Sequence, residues 1–142
     1  STEHGYVAGG LPSGSVDTIQ RFAFASDGNG SDIGTLSANL GQMKGNSATA
    51  HSYTAGGNTG SVSNIIDKFA HASSSDGSQI GELTVARKKT SSTQSSDNGF
   101  TAGGNTGSNS NVIDKFSFDT DGNATDHGDL TTTTGGAAGS QY

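Results

Sequence analysis

A spacing of 47 residues governs the whole chain. His4-Gly5-Tyr6-Val7-Ala8-Gly9-Gly10 returns as His51-Ser52-Tyr53-Thr54-Ala55-Gly56-Gly57 and again as Asn98-Gly99-Phe100-Thr101-Ala102-Gly103-Gly104. Phe22, Phe69 and Phe116 keep the same step, as do Leu36, Leu83 and Leu130, and no insertion or deletion breaks it. Three periods leave only one of the 142 residues over. A fixed period of about 40–50 residues marks propellers and tandem arrays, whose units are each too small to bury a hydrophobic face alone and do so against their neighbours.

Composition supports a thin core rebuilt in every unit. Ile, Val, Leu and Phe together number 22, while Gly numbers 23, Ser 22 and Thr 17. So few large apolar residues would ordinarily signal disorder. Here, however, they recur at fixed positions, and a net charge of −6 brings little self-repulsion. The absence of cysteine excludes disulfides, thiolate metal sites and cysteine nucleophiles. An acidic balance with seven Lys plus Arg argues against a nucleic-acid partner, and no apolar run approaches membrane-spanning length.

The third copy displays the unit best. Gly99-Phe100-Thr101-Ala102 is a short half-apolar strand stopped by Gly103-Gly104, and Asn105-Thr106-Gly107-Ser108-Asn109-Ser110 is turn chemistry. The run 111–118, Asn-Val-Ile-Asp-Lys-Phe-Ser-Phe, is the strongest strand. Alternation puts Val112, Asp114, Phe116 and Phe118 on one face and Ile113, Lys115 and Ser117 on the other, so both faces carry apolar residues, as in a sheet packed between two others. A polar loop over 119–126 precedes a segment around Leu130, and a Thr/Ser-rich piece, clearest at 90–96, leads through Asn98-Gly99, a hairpin signal, into the next copy. Four short strands per 47 residues, with no helical periodicity, predict an all-β chain of three four-stranded propeller blades within a single domain, 1–142, with copies at 4–50, 51–97 and 98–142.

The aromatic strand ending in Gly-Gly, the polar turn and the Val112-Ile113-Asp114-Lys115-Phe116 strand resemble the kelch repeat, as does Leu83-Thr84-Val85-Ala86-Arg87. The usual kelch Trp is absent, its place being offered by Leu36, Leu83 and Leu130, and the Arg stands only in copy two. The match is closer to Gly/Ser/Thr/Asn-rich kelch-like repeats of virion-associated proteins of marine bacteriophages. That resemblance implies a structural or host-contact role at the virion surface or outside the cell.

Three blades fall short of the four to eight of closed propellers. Tyr142 falls at the repeat position of Ser1, Ala48 and Ser95, so Gly139-Ser140-Gln141-Tyr142 and Ser1-Thr2-Glu3-His4 together would complete one blade, the last copy being finished by residues 1–3 of a neighbouring chain or segment. A two-chain ring of six blades, a longer tandem array and an open head-to-tail filament all satisfy this; the six-blade ring is preferred. Ser1 in place of an initiator Met fits a processed product or an excerpt of a longer polypeptide.

Candidate chemistry is sparse. Asp119, Asp121, Asn123 and Asp126 resemble half of a calcium loop, but Ala124 and Leu130 stand where Gly and Glu are expected, and copy two keeps only Asp76 as a carboxylate. A solvated Asx-rich turn is the preferred reading, with no cofactor expected and calcium the alternative. Asn29-Gly30-Ser31 and Asn123-Ala124-Thr125 fit the N-glycosylation pattern but also suit turns. His4 and His51 are equivalent and become Asn98 in copy three, which favours a polar turn over a metal site; His71 and His127 read as surface residues. Lys68 and Lys115 are expected to pair with carboxylates of a neighbouring blade. No pair of carboxylates, nucleophile elbow or phosphate loop marks an enzyme. The expectation is a non-enzymatic structural or adhesive module of a virion appendage, whose partners are further copies of the same repeat and host glycans or coat proteins. The alternative is a lectin-like propeller contacting carbohydrate through Asn58, Thr59 and Ser61 and through Asn105, Thr106 and Ser108.

Overall fold

A computed structural model of the chain describes residues 3–11 and 16–141; Ser1, Thr2 and Tyr142, invoked above for the joining of the ends, lie outside the described residues. Strands and their connections account for these residues, with no helix among them. The strands are β1 (His4–Gly10), β2 (Val16–Ala23), β3 (Ser31–Leu40), β4 (Lys44–Ser47), β5 (His51–Ala55), β6 (Ile65–Ala70), β7 (Ser78–Glu82), β8 (Ser91–Gln94), β9 (Asn98–Ala102), β10 (Ser110–Ser117) and β11 (Thr125–Thr134). They form three antiparallel meanders, β1-β2-β3, β4-β5-β6-β7 and β8-β9-β10-β11.

The sheets are cut one strand out of phase with the sequence copies. β8, the polar end of the second copy, pairs with β9 of the third, Ser91 opposite Ala102 and Gln94 opposite Gly99. β4 pairs with β5 in the same register, Lys44 opposite Ala55 and Ser47 opposite Ser52. Each full sheet therefore starts with a strand that the sequence period assigns to the preceding copy, and the first sheet has no such strand among the described residues.

The sheets pack face to face through two cores. Ile19, Ile33, Leu36 and Leu40 of the first sheet bury against Phe69 of the second, with Tyr6 and Ile65 packed alongside. Tyr53, Ala55, Ile66 and Leu83 of the second bury against Phe116 and Ala124 of the third, with Phe118 alongside. β6 alternates strictly: Ile65 and Phe69 serve the first core and Ile66 the second. The two-faced apolar pattern of this strand thus has its physical cause in a sheet covered on both sides. Phe22 and Phe116 lie directly opposite Gly5 and Gly99 in their sheets, and a Cβ at either glycine would fall 2.3 Å from the ring tip. The ring lies across the strand because its partner residue has no side chain.

Polar bonds repeat between sheets as regularly as the apolar ones. Asp67 accepts from the Ser37 amide and hydroxyl at 3.0 and 2.6 Å, and Asp114 accepts from the Thr84 amide and hydroxyl at the same two distances. Asp76 accepts from the Thr35 amide at 2.9 Å, and Asn123 from the Glu82 amide at 3.1 Å. The amides of Gly77 and Ala124 donate to the carbonyls of Thr35 and Glu82. Along the edge formed by β4 and β8, equivalent residues meet directly: Asn46 Nδ2 donates to the Thr93 carbonyl and the Ser47 amide to Gln94 Oε1. Thr93 Oγ1 donates in turn to the Ser140 carbonyl and the Gln94 amide to Gln141 Oε1. All four bonds span 47 residues.

Candidate functional site

The two turns singled out in the sequence have one geometry. Asn58 Oδ1 accepts the Gly60 amide at 3.3 Å and Asn105 Oδ1 the Gly107 amide at 3.0 Å, closing Asx turns. Gly60 and Gly107 hold φ of 109° and 121°, backbone that favours glycine. The Thr59 and Thr106 amides each donate to the carbonyl two residues on, at 3.0 Å. The backbone of Asn58 exchanges two bonds with Gly41, and that of Asn105 exchanges two with Lys88. Each turn is thereby fastened to the connector arriving from the preceding sheet. The tips, Thr59, Ser61, Thr106 and Ser108, are exposed, so the structure brings the six residues together as two matched hydroxyl-bearing tips rather than one pocket.

The acidic loop is tied into the seam between the second and third sheets. Asp121 Oδ1 meets Lys68 Nζ at 2.5 Å, the inter-sheet pair expected for this lysine. Asn123 caps the Glu82 amide, and Asp126 accepts the Gly128 amide at 2.8 Å in a local turn. The Asp119 amide donates to Ser117 Oγ at 3.1 Å. The loop's form thus follows from backbone capping and one lysine pair. Among the described residues, no three acidic or histidine side chains gather in an arrangement that could hold a metal ion. Asn123, which opens one of the glycosylation patterns, has its side-chain oxygen engaged across the seam.

Of the two histidines read as surface residues, His127 is exposed and His71 is half-buried. His71 stands at the step of Phe24 and Phe118, and His127 at the step of Ile33 and Ile80. The His71 ring stacks on Tyr6 with centroids 4.9 Å apart, as Phe118 stacks on Tyr53 at 4.8 Å. Its Nε2 lies 2.9 Å from Ser52 Oγ, and its Nδ1 3.3 Å from the Thr49 carbonyl. Burial holds its pKa below the ordinary 6.5, aided by the nearby His51 and opposed by the Thr49 carbonyl. The unfolded chain therefore takes up this proton first as pH falls. The contribution to stability is fully present above about pH 6.5 and is lost as pH drops toward the lower folded value. Thermal midpoints measured from neutral to mildly acidic pH should show this decline, and His71→Phe, the residue of both sister positions, should flatten it. Counting the 47-step through His71 is the signal that finds it.

The largest fully buried side chain among the described residues is Arg87, with Asp114 its partner. Both side chains are fully buried, and Arg87 Nη1 lies 3.0 Å from Asp114 Oδ2. Arg87 Nη2 donates to the Thr101 carbonyl at 3.0 Å, and Nη1 also to the Val85 carbonyl at 3.3 Å. The guanidinium thus ties β10 and β9 to the segment after β7. Its counterparts in the other copies are Leu40 and Thr134, so the pair occurs once. Asp67, the counterpart of Asp114, is equally buried but has the buried Leu40 at the arginine's step. A charge this enclosed serves packing and registry rather than contact with a ligand.

No protein-family model matches the chain, and no curated protein matches it.

Proposed function

We propose that the chain is a non-enzymatic β-propeller module, structural or adhesive, of the kelch-like kind its sequence resembles, and that it serves in a virion appendage or decoration. The observation that supports this reading best is the row of equivalent strands. β4, β8 and the 139–141 segment lie side by side, joined by bonds between residues 47 apart, as the inner strands of blades do around an axis. The distinctive polar groups are engaged in holding sheet to sheet: Asp67 and Asp114 cap neighbouring backbone, and Lys68 pairs with Asp121. Such a module offers a firm surface of small polar turns in a location outside the cell or on a particle.

The second reading, a lectin-like propeller, draws on one feature. The matched tips at Thr59–Ser61 and Thr106–Ser108 present the same hydroxyls from adjacent units, a repeated display suited to a repeated sugar. A glycan array separates the two. No signal from the folded protein excludes the lectin reading. The lectin reading predicts a signal that Thr59→Ala with Thr106→Ala removes while the circular dichroism spectrum stays unchanged.

A further inference from the structure

We infer that the two uncovered faces of this chain are the two halves of one more seam, closed head to tail by a second copy, with the 138–141 segment of one copy filling the groove beside β1 of the other. Each seam inside the chain supplies a template, because the 47-step maps its residues onto the open ends.

The apolar surfaces match first. The first sheet exposes Phe22 and Phe24, at 41% and 61%, on the face opposite its buried Ile19. The counterparts of Phe22, which are Phe69 and Phe116, are buried in the two seams at 4% and 2%, and those of Phe24, which are His71 and Phe118, are half-buried there. The third sheet carries Phe100, Ile113 and Leu130 only partly covered, although their counterparts Tyr53, Ile66 and Leu83 are buried in the second seam. By the step, Phe24 of one copy stacks on Phe100 of the other, as Phe118 does on Tyr53. Phe100 lacks the hydroxyl with which Tyr6 and Tyr53 reach the carbonyls of His71 and Phe118, so this one bond has no counterpart.

Polar groups match as well. The Lys68–Asp121 pair maps onto Lys115 and Asp27, of opposite charge on opposite ends. The bond from the Glu82 amide to Asn123 maps onto the Asp129 amide and Asn29 Oδ1. A Cβ at Gly34 or Gly81 would strike the carbonyl of Ser75 or Gly122 across a seam, whereas Gly128, next in the series, meets nothing within the chain. The donor at Thr131 follows Ser37 and Thr84, and its acceptor becomes Gln20, which also offers a side-chain oxygen.

The groove completes the fit. It measures about 610 Å³ and runs along β1 beside β4, lined by Tyr6, Val7, Ala8, Met43 and Asn46 among others. It occupies the place that β4 and β8 hold in the other two sheets, and among the described residues β2 is the one strand that pairs with β1. The register of those sheets predicts Ala138 opposite Ala8 and Gln141 opposite Gly5 of the partner. Two copies joined at both ends give six sheets, within the range of about four to eight that closed rings use; three copies would exceed it.

The test uses two variants that each spoil one end on an uncovered face, Phe24→Asp and Leu130→Asp. The unaltered 142-residue chain should sediment at twice its 14.1 kDa mass. Each variant alone, folded by circular dichroism, should sediment as a monomer, and an equimolar mixture should recover a dimer, because one sound head then meets one sound tail. A monomeric unaltered chain, or a mixture that stays monomeric, overturns the inference. So does a Leu130→Asp variant that still dimerises alone, since that means like faces pair. Charge exchange covers the case in which a variant fails to fold. Asp27→Lys or Lys115→Glu should each weaken association about two- to fivefold at low salt, and both together in one chain should restore it. Singles without effect, or a double no better than either, overturn the assigned contact.

Discussion

Asp114→Ala is expected to destabilise the chain by about 3–5 kcal/mol, the cost of leaving a buried charge without its partner. The substitution strands the Arg87 guanidinium in a fully buried site and removes the acceptor for the Thr84 amide and hydroxyl. Such a loss is a large part of the stability of a domain this size. Arg87→Leu should cost clearly less, because the chain already contains that solution: Asp67 is fully buried with Leu40 at the equivalent position. Asp67→Ala should cost about 1–3 kcal/mol, since it frees Ser37 groups that solvent reaches and leaves no arginine behind. Urea denaturation of the three variants checks the order, with Asp114→Ala the least stable.

Gly81→Ala carries the second large effect. A Cβ there would lie 2.0 Å from the Gly122 carbonyl oxygen and 2.4 Å from its carbon, backbone atoms that no rotamer change can move. The second and third sheets must separate locally, opening the seam lined by Tyr53, Leu83 and Phe116 and straining the bond from the Ala124 amide to the Glu82 carbonyl. About 3 kcal/mol is expected, the upper end of ordinary overpacking. Gly122→Ala on the opposite side of the same contact is the control. Its Cβ would point into open space, so a change within about 0.5 kcal/mol is expected. Thermal melts of the two variants side by side distinguish a clash in the seam from a general intolerance of substitution.

These two sites show what could be read in the sequence and what could not. The period of 47 and the apolar alternation of 111–118 conveyed an all-β chain of stacked sheets, because strand faces repeat every second residue and each face needs a cover. The pairing of Lys68 with a carboxylate of the next sheet followed from the same alternation. The phase of the sheets did not follow. β4 and β8 are Lys44-Gly45-Asn46-Ser47 and Ser91-Ser92-Thr93-Gln94, polar strands held by side-chain amides and hydroxyls between neighbours, with no apolar signature to assign them to one copy or the next. The burial of Asp67 and Asp114 was hidden for a related reason: a carboxylate in a strand reads as solvent-facing until the amide it caps is known. His127 is exposed, as its type suggests, whereas the half-burial of His71 was obscured by a histidine at a position that phenylalanine fills elsewhere. The turn residues Asn58 and Asn105 were legible as turns, but their backbone bonds to Gly41 and Lys88 depend on the approach of another sheet.

If every unit of this chain, the first and the last included, is completed by the face of another, no folded monomer should persist. Native mass spectrometry of the 142-residue chain tests it most directly. A single species at twice the 14.1 kDa chain mass is the predicted result, and a stable folded monomer would contradict it.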